Sequence, residues 1–483
     1  MPITLDELAS LQETLTSAAG LVPLIPKVVD RLLMEDVRRY APLRRAFARK
    51  TWTTNEYFFN KRTALPKAQM TTAAPAVGDV AASNSTYVQV GFPIKHLQTQ
   101  LDIEKFGAQV ANINGDVYEL ELGGAAKSMA WLEEMNHLWG CAGATLNTKR
   151  PGWDGLDMLV ANANKVDAAQ AQLSFMLMDD AIDSVKGVAA QELNDDWCWI
   201  MSGRMQSKMN RLLENQTRYD KGMTRIFARD DYGDPQADVV DNYLDAGIEV
   251  ATYRNIPIVL SSWMGNVGAM SAVTATPAGA DGVIPAGNYY YCIEAVTRNG
   301  LTTATELGGA VTVAATNHVT LSWTTPNVYD PDGNLIDVFA YRIFRTAAGG
   351  ASGTESLYAV VSALDASDNP VTSWVDTGAP VNPNLQGSTA IAITFNSTSG
   401  GTVAAPDGYT FPRLQANGQV LEDIFLVPRN PEFALCPVVN EMYPELLANV
   451  NGRTRQYALM SDQTFALRGP LFASKICRVR ADG

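Results

Sequence analysis

Residues 114–140 read NGDVYELELGGAAKSMAWLEEMNHLWG, and their spacing predicts one long helix. Tyr118, Leu122, Ala125, Met129, Leu132, Asn136 and Trp139 follow one another at alternating steps of four and three. That spacing lines them along one face, as a stripe to be buried. Asp116 can cap the start and suits the positive end of the helix dipole. Gly140 supplies a stop. About 24 residues at roughly 1.5 Å each make a rod of about 36 Å. The Gly123–Gly124 pair weakens the rod locally and lets a neighbour come close. No catalytic motif lies on it.

Upstream of this rod the chain reads as arm and ribbon. Thr4-Leu-Asp-Glu7 is a capping box, so a helix is expected from Leu5 to about Ser17. A second amphipathic segment follows Pro26 and is broken or bent at Pro42. TWTTNEYFF (51–59) and TYVQVGF (86–92) read as a strand and its returning partner. Between them LPKAQMTTAAPAVGDVAASNS is too poor in large apolar residues to build a core. It suits either a long two-stranded loop lying on another subunit or a disordered linker. Residues 94–103 continue as strand or turn towards the helix.

Downstream the texture is mixed. A turn cluster at Pro151–Gly155 precedes a helix over 173–188, a buried strand at Trp197–Met201 and a helix capped by Ser202 over 203–214. Two further strands, 247–253 and 256–260, are joined by a tight Arg254–Asn255 turn. From about 267 to 381 helical periodicity disappears. NYYYCIEAV (288–296), AVTVAA (310–315), HVTLSW (318–323), AYRIFRT (340–346), SLYAVV (356–361) and VTSWVDTG (371–378) are short β runs separated by turn signals. Such texture predicts a β-sandwich. Afterwards VLEDIFLV (420–427) reads as a strand and EMYPELL (441–447) as a short helix. Three strand-like runs close the chain. The sandwich therefore interrupts a domain instead of following it.

Composition narrows the class. The chain has 483 residues, 46% of them hydrophobic, and a formal charge of −14. That balance argues against a dedicated nucleic-acid binder. The charge is uneven: Lys27–Lys67 carries eleven basic residues against four acidic ones, whereas 267–382 carries three against ten. A basic arm with an acidic outboard module fits this, and so do plain solvated faces. The five cysteines are dispersed and form no CxxC pair, as expected for free thiols in a reducing compartment. No secretory leader pattern or membrane-length apolar run is evident, so synthesis in the cytoplasm and no membrane association are expected.

Chemistry is sparse. The three histidines, His96, His137 and His318, sit in unrelated segments with no zinc-ligand spacing, and His137 reads as a helix-face residue. Phosphate-loop, dinucleotide and nucleophile-elbow motifs are missing. Asp179-Asp180 with Asp183, Asp195-Asp196 and Asp230-Asp231 could hold a cation or act as paired carboxylates, but the first set has the spacing of a solvated helix face. Asp330–Asn334 starts like a calcium loop whose twelfth position is Tyr341, so it reads as a turn. No catalytic residue, cofactor or metal is expected, and the chain does not read as an enzyme.

In its order of parts the chain resembles the major capsid protein of tailed bacteriophages of the Hong Kong 97 type. The resemblance implies an α+β fold. It has an N-terminal arm (1–50), an extended loop (51–102) and a peripheral domain (103–165) with spine helix 114–140. An axial domain (166–265, continued by 385–430) and peripheral return strands (431–483) follow. The segment PAGNYYYCIEAV (285–296), with Asn299-Gly300, VTLSW (319–323), YRIFR (341–345) and Asp376-Thr-Gly378, resembles fibronectin type III or related immunoglobulin-like modules. An all-β sandwich of that kind would occupy 266–384. There Tyr289, Tyr291 and Trp323 read as core.

Implied by this resemblance is self-assembly into an icosahedral shell of pentamers and hexamers enclosing a double-stranded DNA genome, with the sandwich on the outside. Tyr118, Leu122, Met129, Leu132 and Trp139 would pack the spine helix. Arg38, Arg39, Arg44, Arg45, Lys61 and Lys67 would make arm contacts between subunits. Expected partners are a portal, a separate scaffold, decoration proteins and packaged DNA held non-specifically. Only about 50 residues precede the ribbon, so no maturation cleavage is expected. Some members crosslink a loop lysine to a neighbour's asparagine. Lys61 and Lys67 occupy that position, though no crosslink is expected. An encapsulin-like cellular shell protein and a secreted carbohydrate-binding protein with a fibronectin-like module are the alternatives.

Overall fold

The computed structural model describes residues 41–68, 84–105, 117–140, 152–189, 193–217, 252–378 (apart from 280–281, 298, 307–308, 316, 328–337, 366 and 368), 391–394, 402–405, 420–447 and 454–481. The expected helices of the N-terminal arm, the tip of the extended loop and the turn at Asp330 lie outside the described residues. The chain is mixed α+β, with few helices and many strands. Two compact units are formed. One comprises Arg49–Glu133 and Cys436–Thr464, after Met1–Ala41; the other comprises Pro42–Ala48, Glu134–Leu435 and Phe465–Gly483. The predicted helix, α1 (Val117–Trp139), gives residues to both.

In the first unit, β4 (Lys95–Glu104) pairs antiparallel with β24 (Thr454–Gln463), from Glu104 opposite Thr454 to Lys95 opposite Gln463. On the other side of β24 lies β23 (Ala434–Leu446), followed by the short edge strand β1 (Ala48–Thr51). The segment expected as a helix at 441–447 is thus the second half of a strand. Its residues favour helix locally, but pairing of Tyr443 with Met460 and of Leu446 with Tyr457 decides the backbone. The ribbon is β2 (Glu56–Ala64) against β3 (Thr86–Pro93), a separate two-stranded sheet.

The second unit contains a six-stranded sheet. Its order is β5 (Lys165–Asp167), β26 (Ser474–Arg480), β22 (Leu421–Pro428), β6 (Trp197–Met201), β8 (Ile256–Leu260) and β7 (Thr252–Tyr253). The last strand of the chain therefore joins this sheet. The return strands expected together at 431–483 are split between sheets, because pairing is fixed by distant partners that strand texture does not name. Helices α2 (Phe175–Ala189) and α3 (Gly203–Thr217) cover one face. Met178, Ile182 and Val185 of α2 and Met205 and Met209 of α3 pack with Trp197, Trp199 and Ile424. The Ser202 hydroxyl accepts the Met205 N–H at 3.2 Å, which caps α3. Arg254 and Asn255, both at positive φ, make the tight β7–β8 turn.

After a 3₁₀ turn at Ser262–Met264 the same unit holds two sheets around one core. The larger runs β18 (Ser356–Ser362), β17 (Val338–Arg345), β12 (Tyr291–Thr297), β13 (Gly300–Thr303) and β9 (Asn266–Ala269), with β14 (Thr305–Glu306) also on β12. The smaller runs β10 (Ser271–Ala278), β16 (His318–Thr324) and β19 (Ser373–Asp376). Alternation along each strand divides the side chains. Tyr291, Ile293, Tyr341 and Ile343 meet Val319, Leu321, Trp323 and Trp374 inside. Cys292, Glu294, Arg342 and Phe344 point the other way and are buried as well.

Candidate assembly surface and buried charge cluster

The spine residues divide along α1. Val117, Ala125 and Met129 are buried, while Tyr118, Leu122 and Leu132 are only half-buried. Tyr118 meets Tyr457 edge-on at 6.1 Å and lies 5.2 Å from the Arg455 guanidinium. The other side of this half carries exposed Glu119, Leu120, Glu121, Gly123, Gly124 and Lys127. From Glu133 onwards every residue to Trp139 is buried, so the one-face expectation fails there. The reason is that neighbours surround the helix end. His137, read as a helix-face residue, sits among Phe47, Trp153 and Phe465, at ring distances of 5.1–5.8 Å. The Trp139 indole N–H donates to the Trp263 carbonyl at 2.9 Å. The Ser261 hydroxyl bonds Glu134.

Glu133 is buried because Arg49 reaches it. The Arg49 guanidinium lies 2.6 Å from Glu133, 3.0 Å from Glu441 and 2.6 Å from the Gln463 side-chain oxygen. Burial would lower this cation's pKa, and its two glutamates raise it instead. Strand β1, the helix, β23 and β24 are thus tied at one point of the first unit. Sequence reasoning passed over Arg49. The signal was a pair of acids, Glu133-Glu134, inside an otherwise apolar helix end.

Among the arm candidates, Arg38 and Arg39 lie outside the described residues. Arg44 and Arg45 stand on a helical turn, Leu43–Ala46. Lys61 is half-buried on the ribbon, and Lys67 is exposed beyond β2. The ribbon itself is two-faced. Register places Tyr57 opposite Phe92, Phe59 opposite Val90 and Lys61 opposite Val88, which makes one face largely apolar. Tyr57 at the base is buried, but Val88 is 47% exposed. Leu65, just past the strand, is 65% exposed, and on the opposite face Tyr87 is 63% exposed.

The second unit buries charge instead. Arg342 bonds Asp157 and lies 3.0 Å from Glu294, its cross-strand partner. Lys475 is 2.5 Å from Asp157 and 3.0 Å from Asp423. The Lys165 ammonium donates to the Asp157 carbonyl at 3.0 Å. A bulge in β22 places Asp423 here, and its carboxylate also accepts the Arg478 backbone N–H at 2.9 Å. Burial alone would raise Asp157, but the Lys475 and Arg342 cations outweigh it and hold the carboxyl far below its ordinary range. Burial would lower Lys475, and Asp157 and Asp423 hold it above its usual value. For Lys165 burial outweighs the attraction of Asp157 and pushes the ammonium down to about 8. Trp139 roofs the cluster, 5.2 Å from Arg342 and 5.5 Å from Lys475.

Of the aspartates weighed as cation ligands, Asp230 and Asp231 lie outside the described residues, and Asp195 and Asp196 are exposed. Asp179 accepts the Tyr253 hydroxyl at 3.0 Å and pairs with Arg254 at 2.6 Å, while Asp180 and Asp183 are exposed. No cluster of three metal-ligating side chains occurs among the described residues. None of their helices is long and apolar enough to cross a membrane. Of the acids that made the 267–382 segment look like a solvated module, Glu294, Glu355 and Asp376 are buried.

No protein-family model matches the sequence, and no curated protein matches it. Solved structures do resemble the fold. The capsid of a native GTA particle is similar at a TM-score of 0.44 and 8% identity, covering 96% of this chain and 98% of that one. A structure of Gordonia phage Cozz is similar at 0.43 and 6%, covering 94% and 92%. The holo-SrpI encapsulin complex from Synechococcus elongatus PCC 7942 is similar at 0.40 and 9%, covering 95% and 94%.

Proposed function

We propose that this chain is a shell-forming protein, the major capsid protein of a tailed phage of the Hong Kong 97 type. The β2–β3 ribbon carries the reading. An isolated two-stranded hairpin is marginal in water, and this one presents an apolar face that its own unit covers only at the base, around Tyr57. Further copies of the chain would cover the rest, and closed symmetry would let every ribbon find the same seat. In this reading the subunits form pentamers and hexamers around double-stranded DNA in the virion. A portal, a separate scaffold and decoration proteins assist, and no catalytic site is needed. The two-sheet segment is an immunoglobulin-like module, and its exposed β10–β16–β19 face looks outward from the shell.

Sedimentation and negative-stain microscopy of the expressed chain test this. Large icosahedral shells are expected. Small shells filled with host protein would favour an encapsulin-like compartment. A monodisperse 52.2 kDa monomer at high concentration would overturn the reading.

A further inference from the structure

The outward face of the β12–β17–β18 sheet is buried twice over. An apolar part, Cys292, Phe344, Leu357 and Val360, packs with Met158 of the turn at Leu156–Leu159. A charged part, Glu294 and Arg342, enters the cluster of Asp157, Lys475 and Asp423. Two more ties lie nearby. Trp263 meets Phe339 edge-on at 5.6 Å, and the Asn266 side-chain amide donates to the Leu421 carbonyl of β22 at 3.4 Å. A module joined by linkers would need none of this.

We propose that Arg342 is a latch that fixes the orientation of the two-sheet module on the six-stranded sheet, so that both move as one rigid piece. Apolar contact alone tolerates sliding, since neighbouring positions of a greasy face are similar in energy. Buried charge does not. Arg342 is 2% exposed and touches carboxylates from both parts, Glu294 on its own sheet and Asp157 on the turn. Any shift would strand at least one ionised group in a medium where water cannot replace the lost partner. Arg342 is thus a positioning residue. The inference holds whether or not the chain builds a shell.

Hydrogen–deuterium exchange on the full chain tests it. Arg342→Met is expected to raise exchange about tenfold in 156–159, 291–297 and 338–345, while 318–324 and 373–376 in the smaller sheet keep their protection. Adding Glu294→Gln to Arg342→Met removes the carboxylate that faces position 342 across the strands and should recover at least part of that protection. Arg342→Lys, a milder change should the methionine variant not fold, keeps the charge but loses the fork that reaches both acids. It should raise exchange less, in the same segments. Unchanged exchange in all variants would overturn the latch. So would an equal rise in both sheets, or no recovery in the double variant, since either would mean that Arg342 supports the fold generally and not the docking.

Discussion

The ribbon and the docking face of the two-sheet module invert the usual rule in opposite senses. On the ribbon, Val88, Leu65 and Tyr87 are apolar or aromatic and face solvent. On the docking face, Glu294, Arg342, Asp157 and Lys475 are charged and face the interior. The docking face is satisfied within one chain: Arg342 and Lys475 each meet two carboxylates, and Cys292, Phe344 and Leu357 are buried. On the proposed reading the ribbon is completed by further copies of the chain. The difference separates folding from assembly, and substitutions should tell the two apart.

The largest effect is expected in the half of α1 that belongs to the first unit. Met129, 1% exposed, faces the interior of the first unit, and Met129→Asp would bury an unpaired carboxylate. Loss of soluble, folded chain, read by circular dichroism and expression yield, is the expected result, and with it loss of any shell. Normal yields and normal assembly would show that the helix is not the buried beam taken here. Leu132→Asp should be milder, since Leu132 is half-buried.

Next comes the docking face. Arg342→Met should cost roughly 3–5 kcal/mol in chemical unfolding, because it leaves buried carboxylates short of a partner. A cost below about 1 kcal/mol would place that charge network among ordinary surface pairs.

Titration gives a smaller and graded effect. Asp157 has a folded-state pKa below its ordinary 3.8. Its contribution is complete above that value and is lost as the pH falls beneath it. Lys165 has the same sign in a higher pH window. Its folded-state value of about 8 lies under the ordinary 10.5, so raising the pH from 8 to 10.5 favours the folded state through this group. Lys475, raised above 10.5, contributes fully below that pH and loses its contribution above it. Melting temperature should therefore fall in acid below about pH 4, and Asp157→Asn should flatten that limb. An unaltered acid limb in the variant would remove Asp157 from the explanation.

The ribbon should give the smallest effect on the isolated chain. Val88→Ser with Val90→Ser is expected to change unfolding free energy by no more than about 0.5 kcal/mol, yet to abolish shells in the microscope. A matching loss of monomer stability would mean that the ribbon is finished internally after all.

Much of this architecture was legible residue by residue. Alternation in YCIEAV and YRIFR places Tyr291, Ile293, Tyr341 and Ile343 on one side, and WCWIM is apolar enough to be buried on both faces. Arg254-Asn255 between two β runs marks a turn that only left-handed residues make. The charge cluster was not legible, because Asp157 and Arg342 stand 185 residues apart and nothing local names their partnership. An arginine in the middle of an apolar strand was the clue: such a residue requires a counter-charge from elsewhere. The strand at 441–446 was misread for the same reason, since its helical composition is overruled by its sheet neighbours. Strand texture likewise could not tell β24 from β26, which sit in different sheets.

One consequence concerns how such a chain could be put together in evolution. The docking charges are balanced on each side of the contact. Glu294 and Arg342 sum to zero on the module, and Asp157 and Asp423 balance Lys165 and Lys475 on the body. A chain lacking the module would uncover a neutral patch, and a module arriving there would bring a neutral pair. Gain or loss of the whole segment is therefore electrostatically gentler than any single change within it.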